Sequence, residues 1–286
     1  MESLLFGDKL VSMPYSAYGS VVSEDEAPEE AIDLLLESVR DLADSLEVDF
    51  VSLRGRELGD PPGFEKENRF VTFSIPLTVD RDDIWENVKE SRQRQITQAS
   101  ESSLQYRVGD SVEDLREYYR LYLATMRGHG TPPHSFRFFR ILWNRFFERG
   151  DLRLGLVEKN GKLVNGILDL ASGSTVYQWG VISDYDHRDL NGGSLALWKS
   201  LERSYEDGYD TYEMGRTREG SGVYMFKKSW GGEKVWFDDY HYFPGGKAEL
   251  PNPDDEKYDR VKDVWKRLPL KATELIGPPI RRNIDL

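Results

Sequence analysis

The sequence predicts a mixed α/β (α+β) fold, with mixed central sheets flanked by helices, on three observations. A strand, loop, helix, strand order occurs twice, once before Gly55 and again between Thr175 and Arg216. Between the copies lie segments with apolar residues three and four apart, the spacing of helices that bury one face. Two apolar runs then flank Asn160-Gly161, a dipeptide suited to a tight β-hairpin turn.

In the first copy, Lys9 to Tyr15 is expected as a strand, followed by a loop through Tyr18 and Gly19. Pro28, Glu29 and Glu30 mark a helix start, because proline fits the first turn and carboxylates favour the positive end of the helix dipole. Ile32, Leu35, Leu36, Val39 and Leu42 continue it at helical spacing, and Phe50 to Leu53 returns to strand. Asp82 to Gln98, Val112 to Gly128 and Ser135 to Arg149 read as three helices. Arg153–Glu158 and Gly166–Ala171 form the hairpin. Val176–Val181, Gly193–Asp207 and Thr211–Met214 give the second strand, helix, strand unit. Gly19, Val21 and Val22 resemble Gly180, Val181 and Ile182, and Gly55-Arg56 resembles Gly215-Arg216, as a duplicated unit requires.

At 286 residues the chain is long enough for two lobes with separate cores. With no cysteine, disulfides, thiolate metal sites and a Cys nucleophile are excluded. The four histidines lack the short helical spacing of a zinc site, so no metal is expected. No apolar run is long enough to span a membrane and no signal segment follows Met1, so a cytoplasmic location is expected. The net charge of −13 is dispersed along the chain, which suits a salty cytosol and opposes broad nucleic-acid binding. A transfer RNA would need a focused basic patch, and none is evident in the sequence.

Several segments resemble the FemAB-like family of tandem GNAT-fold acyltransferases, which includes peptidoglycan bridge peptidyltransferases and exopolysaccharide-system relatives. Leu4-Leu5-Phe6-Gly7-Asp8-Lys9-Leu10-Val11-Ser12, with Pro14 and Gly19, is similar to the first-domain strand. Gly215-Arg216, Gly220-Ser221-Gly222, Tyr224, Phe226-Lys227 and Trp230-Gly231 resemble the second-domain signature. Trp265 to Leu270 with Gly277-Pro278 resembles the C-terminal segment. The resemblance implies tandem GNAT-like domains: residues 1–80 as a first domain truncated at its N-terminus, 81–243 as a second with the inter-domain helices, and 244–286 as a tail packing on both. It implies transfer of an acyl or aminoacyl group from an aminoacyl-tRNA or an acyl-CoA onto an amine of a cell-envelope precursor. Two alternatives stay open: CoA-dependent N-acetylation of a small amine, and a non-catalytic protein that binds a carrier or polysaccharide.

By that resemblance, Lys227 is the catalytic candidate, its cation stabilising an oxyanion or anchoring the donor; a solvated helix lysine is the alternative. The glycine-rich stretch from Arg216 to Tyr224 lets backbone approach a ligand, and Arg216 could clamp a carboxylate or phosphate; a plain connector explains the glycines as well. Tyr224 and Phe226 flank this stretch. Arg188, Asn191, Gly192 and Gly193 stand before a helix where exposed amides favour an anion, the place of the cofactor pyrophosphate in GNAT proteins; the spacing is loose, and an ordinary helix start is the alternative. Arg92 and Arg94, with Lys89, give a helix a basic face for an anionic, small or lipid-linked acceptor; a surface helix with Glu86, Glu90 and Glu101 as local partners is the alternative. Tyr177 and Trp179 point to one strand face and can line a cleft, or pack. Asp169 is a weaker candidate for a general base. The tail from Asp255 to Arg282 combines apolar and basic residues, so it either packs on the protein or docks peripherally at the inner membrane face.

Overall fold

A computed structural model describes residue 1 and residues 7–22, 28–55, 57–246, 250 and 258–284. Leu4-Leu5-Phe6, Arg56 and Asp255, to which expectations were attached, lie outside these residues. The chain divides into two compact units. One comprises Met1–Val71, Trp236–Tyr258 and Pro279–Leu286, the other Thr72–Val235 and Asp259–Pro278.

The elements begin with β1 (Lys9–Val11), α1 (Glu29–Ser45), β2 (Phe50–Leu53), β3 (Glu65–Glu67), β4 (Val71–Pro76), α2 (Arg81–Asn87) and α3 (Glu90–Ser100). They continue with β5 (Leu104–Gly109), α4 (Val112–His129), α5 (Phe136–Phe146), β6 (Leu152–Lys159), β7 (Lys162–Ser172) and β8 (Thr175–Ser183). A 3-10 turn at Tyr185–Leu190 leads into α6 (Gly192–Glu206), β9 (Thr211–Glu213) and α7 (Gly222–Lys228). The last are β10 (Glu233–Trp236), β11 (Asp239–Tyr242), α8 (Asp259–Arg267) and α9 (Leu270–Arg281).

In the first unit, β1 and β2 run parallel, as a strand, helix, strand crossover requires. β11 lies antiparallel to both β2 and β3, which gives the order β1-β2-β11-β3. Leu36 and Ala43 of α1 pack with Val48, Val51, Leu53 and Tyr240 in its core. Leu35 and Leu42, part of the same apolar spacing, are 52% and 49% exposed. The first strand is shorter than expected: it ends at Val11, and Tyr15 takes a positive φ of 64° that no strand accommodates.

In the second unit the seven strands follow the order β10-β4-β9-β8-β7-β6-β5. β8 and β9 are parallel, and β8, β7, β6 and β5 form an antiparallel meander. Side chains alternate along β7. Gly166 and Leu168 face α4 and α5, while Asn165 and Asp169 face α6, so helices cover both sheet faces. Ser111 caps α4 in a reciprocal box with Asp114, and Gly130, at φ 75°, ends it. Ser135 caps α5, whose Phe139 and Trp143 enter a core with Tyr118, Tyr119 and Tyr122. The single charged helix expected from Asp82 to Gln98 is two helices. Val88 is extended and buried, and the Lys89 amide donates to Ser229 O at 2.9 Å instead of continuing the helical ladder.

Both units contain a parallel strand pair joined through a helix. In each, the second strand is followed two residues later by a glycine in the left-handed region, Gly55 at φ 77° and Gly215 at φ 68°. This is the structural content of the Gly55 and Gly215 correspondence read in the sequence.

Candidate functional site

The site begins where two parallel strands part. β8 continues to Ser183, yet it pairs with β9 only from Thr175 to Tyr177, against Thr211 to Glu213. Beyond Glu213 the chain stays with β4, since the Met214 amide donates to Phe73 O at 3.0 Å. Beyond Tyr177, β8 stays with β7 through Ser183, across an irregularity at Leu168/Asp169. Backbone groups at the divergence have lost their cross-strand partners, which leaves them available to a side chain or a substrate.

Lys227 takes up part of that capacity. Ser221 caps α7 by accepting from the Tyr224 amide at 3.0 Å, so the short helix starts where the glycine-rich stretch ends. Five residues into the helix, Lys227 is buried and its Nζ donates to Gly215 O at 2.8 Å and Arg216 O at 3.1 Å. An ammonium has three donors, so the third N–H remains beyond these two bonds. Burial pushes its pKa down to about 8, against the opposing pull of Glu213. Glu213, buried at the end of β9 opposite Tyr177, was not singled out in the sequence. A lone glutamate two residues before a Gly-Arg pair carries no local signal.

Arg92 comes to the same region from α3. Its Nε donates to Ser229 Oγ at 3.2 Å, beside the end of α7, and its Nη1 to Ser194 Oγ at 3.0 Å, in the first turn of α6. The guanidinium lies 4.4 Å from the Phe226 ring centroid and also bonds Gln95. All these partners are neutral, and burial lowers its pKa. The start of α6 is closely built: Asn191 adopts φ 56°, its Nδ2 donates to Gln98 Oε1 at 3.1 Å, and Gly192 abuts Asn165. A cation with neutral partners beside a helix N-terminus fits a phosphate of a donor, because helix dipole and guanidinium act on it together.

Thus Lys227, Phe226, Arg92, Gly192, Gly193 and Asn191 converge around α3, α6 and α7, with Arg216 contributing its carbonyl. Arg94 does not join Arg92. Two positions along α3 is a turn of about 200°, and Arg94 pairs with Glu90 at 2.5 Å, in an open groove of about 610 Å³ shared with Trp85, Gln93 and Gln98. Arg188 is exposed and stacks 4.0 Å over Tyr185, which also meets His129. Tyr224 turns its ring onto Phe73 at 5.3 Å, with its hydroxyl 3.3 Å from Glu219. Tyr177 is half-buried beside Glu213, and burial raises its pKa. Trp179 joins an aromatic wall with Phe138, Phe139 and His134, at centroid distances of 5.8, 5.6 and 6.1 Å. His134 was also missed, because the α4–α5 connection reaches β8 only through tertiary packing. Asp169 lies fully buried under α6, bonded by Ser200 and by Tyr212 at 3.1 Å, and burial raises its pKa to about 6.

Comparison with known proteins bears on this geometry. Residues 87–228, which hold α3 through α7, match the family model described as an acetyltransferase (GNAT) domain. No curated protein matches the chain by sequence. Among solved structures, FemX is similar with a TM-score of 0.65 at 16% identity, over 81% of each chain. A structure described as L-PGS from Bacillus licheniformis gives 0.54 at 11% identity, over 88% of this chain and 80% of that one. At these identities the solved structures establish the fold, and the family model establishes the domain. The chain thus carries an acetyltransferase (GNAT) domain in residues 87–228, set in an α/β architecture that it shares with FemX.

Proposed function

We propose that the chain transfers an acyl or aminoacyl group to an amine of a cell-envelope precursor or related acceptor, small or lipid-linked, with residues 81–243 carrying the reaction. The observation that carries this reading is Lys227, a buried ammonium held by two backbone carbonyls where β8 and β9 part. With a pKa of about 8 it is mostly protonated at neutral pH. Its third N–H then serves the oxygen of the reacting carbonyl. As the amine attacks, the C–N bond forms and the carbonyl oxygen becomes an oxyanion, which a charged donor stabilises without reorganisation. Collapse breaks the ester or thioester bond to the carrier, and the amine proton leaves to solvent or to the departing group. Arg92, with the amides of Gly192 and Gly193, would hold a carrier phosphate, while Trp179 and Tyr177 would line the acceptor side.

The same phosphate geometry supports a second reading, N-acetylation of a small amine from acetyl-CoA. The dispersed charge of −13 supports a cytosol of high salt. Among the described residues no helix is long and apolar enough to cross a membrane, which is consistent with action on the cytoplasmic side, at most peripheral to the inner face.

The test is thermal stabilisation of the protein and of Lys227→Ala by acetyl-CoA, by aminoacyl-tRNA and by a lipid-linked sugar precursor, in high-salt buffer. A shift with aminoacyl-tRNA or the lipid-linked precursor that the variant loses supports the aminoacyl or envelope reading. A shift with acetyl-CoA alone moves the assignment to N-acetylation. No shift with any of the three sinks both and leaves a binding protein.

A further inference from the structure

The helices α5, α8 and α9 carry outward surfaces that the reaction above does not use. On α5, Phe139 and Trp143 are buried, so the opposite face presents Arg137, Arg140, Ile141 and Arg145, all exposed and at positions that share one side of a helix. The helix has no acidic residue. Among the described residues, none of its three exposed arginines forms an ion pair.

The cations of α8 are divided. Lys262 and Lys266 pair with Asp259 and Asp263 at 3.6 and 3.5 Å along one flank, while Arg260 and Arg267 stand on the other, beside Val261 and Val264. Both valines are 63% exposed, although Trp265, next to Val264, is buried. On α9, Thr273 and Gly277 face inward, and Leu275 is 77% and Ile276 42% exposed, one turn from Lys271.

These helices belong to one side of the second unit. Leu270 joins the core built by α4 and α5, Arg127 of α4 donates to Leu268 O at 3.4 Å, and Gly277 abuts Pro133 between α4 and α5. From Ser135 to Phe147 the net charge is +3, from three arginines and no acid; from Asp259 to Pro278 it is +2, from five cations and three acids. The +5 on these segments stands against −13 for the whole chain.

We propose that the outer face of α5, α8 and α9 docks on an anionic phospholipid surface. Arginines complement lipid phosphates, and Ile141, Val261, Val264, Leu275 and Ile276 enter the headgroup boundary, a combination of charge and exposed aliphatic groups that suits a bilayer. A single-stranded nucleic acid would be met by exposed aromatic rings on which bases stack. Here Phe139 and Trp143 of α5 and Trp265 of α8 are all turned inward. The proposal rests on the proposed function only in giving a reason for such docking, namely access to a lipid-linked acceptor.

The test is co-sedimentation of the full chain with phosphatidylglycerol–phosphatidylcholine vesicles, against phosphatidylcholine alone, at low and high salt. The expected result is binding to the anionic vesicles that salt weakens. Two variants, Arg137→Ala with Arg140→Ala and Arg145→Ala, and Val264→Glu with Leu275→Glu, should each lower the partition by about tenfold or more. All five positions are exposed, and unchanged circular dichroism and melting establish that both variants fold. Lys227→Ala should bind vesicles like the parent, so vesicle binding and catalysis fail separately. Equal binding to neutral and anionic vesicles, or full retention by both variants, overturns the proposal. So does arginine-dependent binding to RNA without binding to vesicles, which would assign the face to nucleic acid.

Discussion

The Nζ of Lys227 lies 2.8 Å from the carbonyl oxygen of Gly215, a residue held at φ 68° immediately after β9 parts from β8. The bond ties the last turn of α7 to the divergence of the two strands. It also sets a cost, since a buried ammonium is stabilised there by carbonyl dipoles and a neighbouring carboxylate instead of by water.

That cost is titratable. The pKa of Lys227 falls from 10.5 in the unfolded chain to about 8 in the folded one, so between these values the folded protein binds fewer protons and stability rises with pH. Below pH 8 the penalty is fully present, roughly 3 kcal/mol. Replacement by Met removes the titration. Urea unfolding between pH 7.5 and 10.5, values chosen around that window, should show wild-type stability gaining about 3 kcal/mol on Lys227→Met, while transfer by the variant falls about 100-fold or more. Parallel pH curves for the two proteins would contradict the assignment.

Arg92 and Arg94 are two residues apart and should behave oppositely. Arg92→Ala removes bonds to Ser194 and Ser229 and the guanidinium that bonds the first turn of α6, and should weaken donor binding by roughly 10- to 100-fold. Arg94→Ala removes an exposed pair with Glu90 and should leave donor binding and stability within about 0.5 kcal/mol. Titration calorimetry with the donor identified by thermal shift separates the two.

A similar contrast exists at the start of α6. A Cβ on Gly192 would lie 2.1 Å from Asn165 Oδ1, and Asn165 is buried with its Nδ2 held by Ser183 Oγ at 2.7 Å. Gly192→Ala should cost about 1–3 kcal/mol and reduce donor affinity. Gly193→Ala meets its nearest neighbour at 3.5 Å, an ordinary contact, and should fold normally. Comparing the melting temperatures of the pair decides the matter.

Asp169 predicts an opposite pH response. Burial raises its pKa from 3.8 to about 6, with hydrogen bonds from Ser200 and Tyr212 opposing the shift. The folded state therefore holds the proton longer than the unfolded one, and stability from this group falls by about 2 kcal/mol as pH rises from 4 to 6. In Asp169→Asn that decline should be absent in denaturant titrations at pH 4, 5 and 6. A variant that keeps the full slope would show that other carboxylates are responsible.

Much of this architecture is written locally. Pro28, Glu29 and Glu30 start α1 where expected, Phe50 to Leu53 is a strand end to end, and Asn160-Gly161 turns the β6–β7 hairpin. The break at Val88 is not legible locally because both sides of it have helical spacing, and what interrupts the ladder is a bond from Lys89 to Ser229, far away in the chain.

By itself the sequence determined the class of fold, the strand, helix, strand units and the residue types that a GNAT-like site needs, because propensity, capping and periodicity act over a few residues. Tertiary structure alone decided that β11 would pair with β2 and β3, that Arg92 and not Arg94 would reach Ser194, and that Lys227 would be buried against Gly215 and Arg216. It also decided that arginines of α5 and valines of α8 would be left outside on helices packed on one side. Each of these depends on bringing together segments tens to hundreds of residues apart, where which face is buried is set by packing and not by neighbours in the chain.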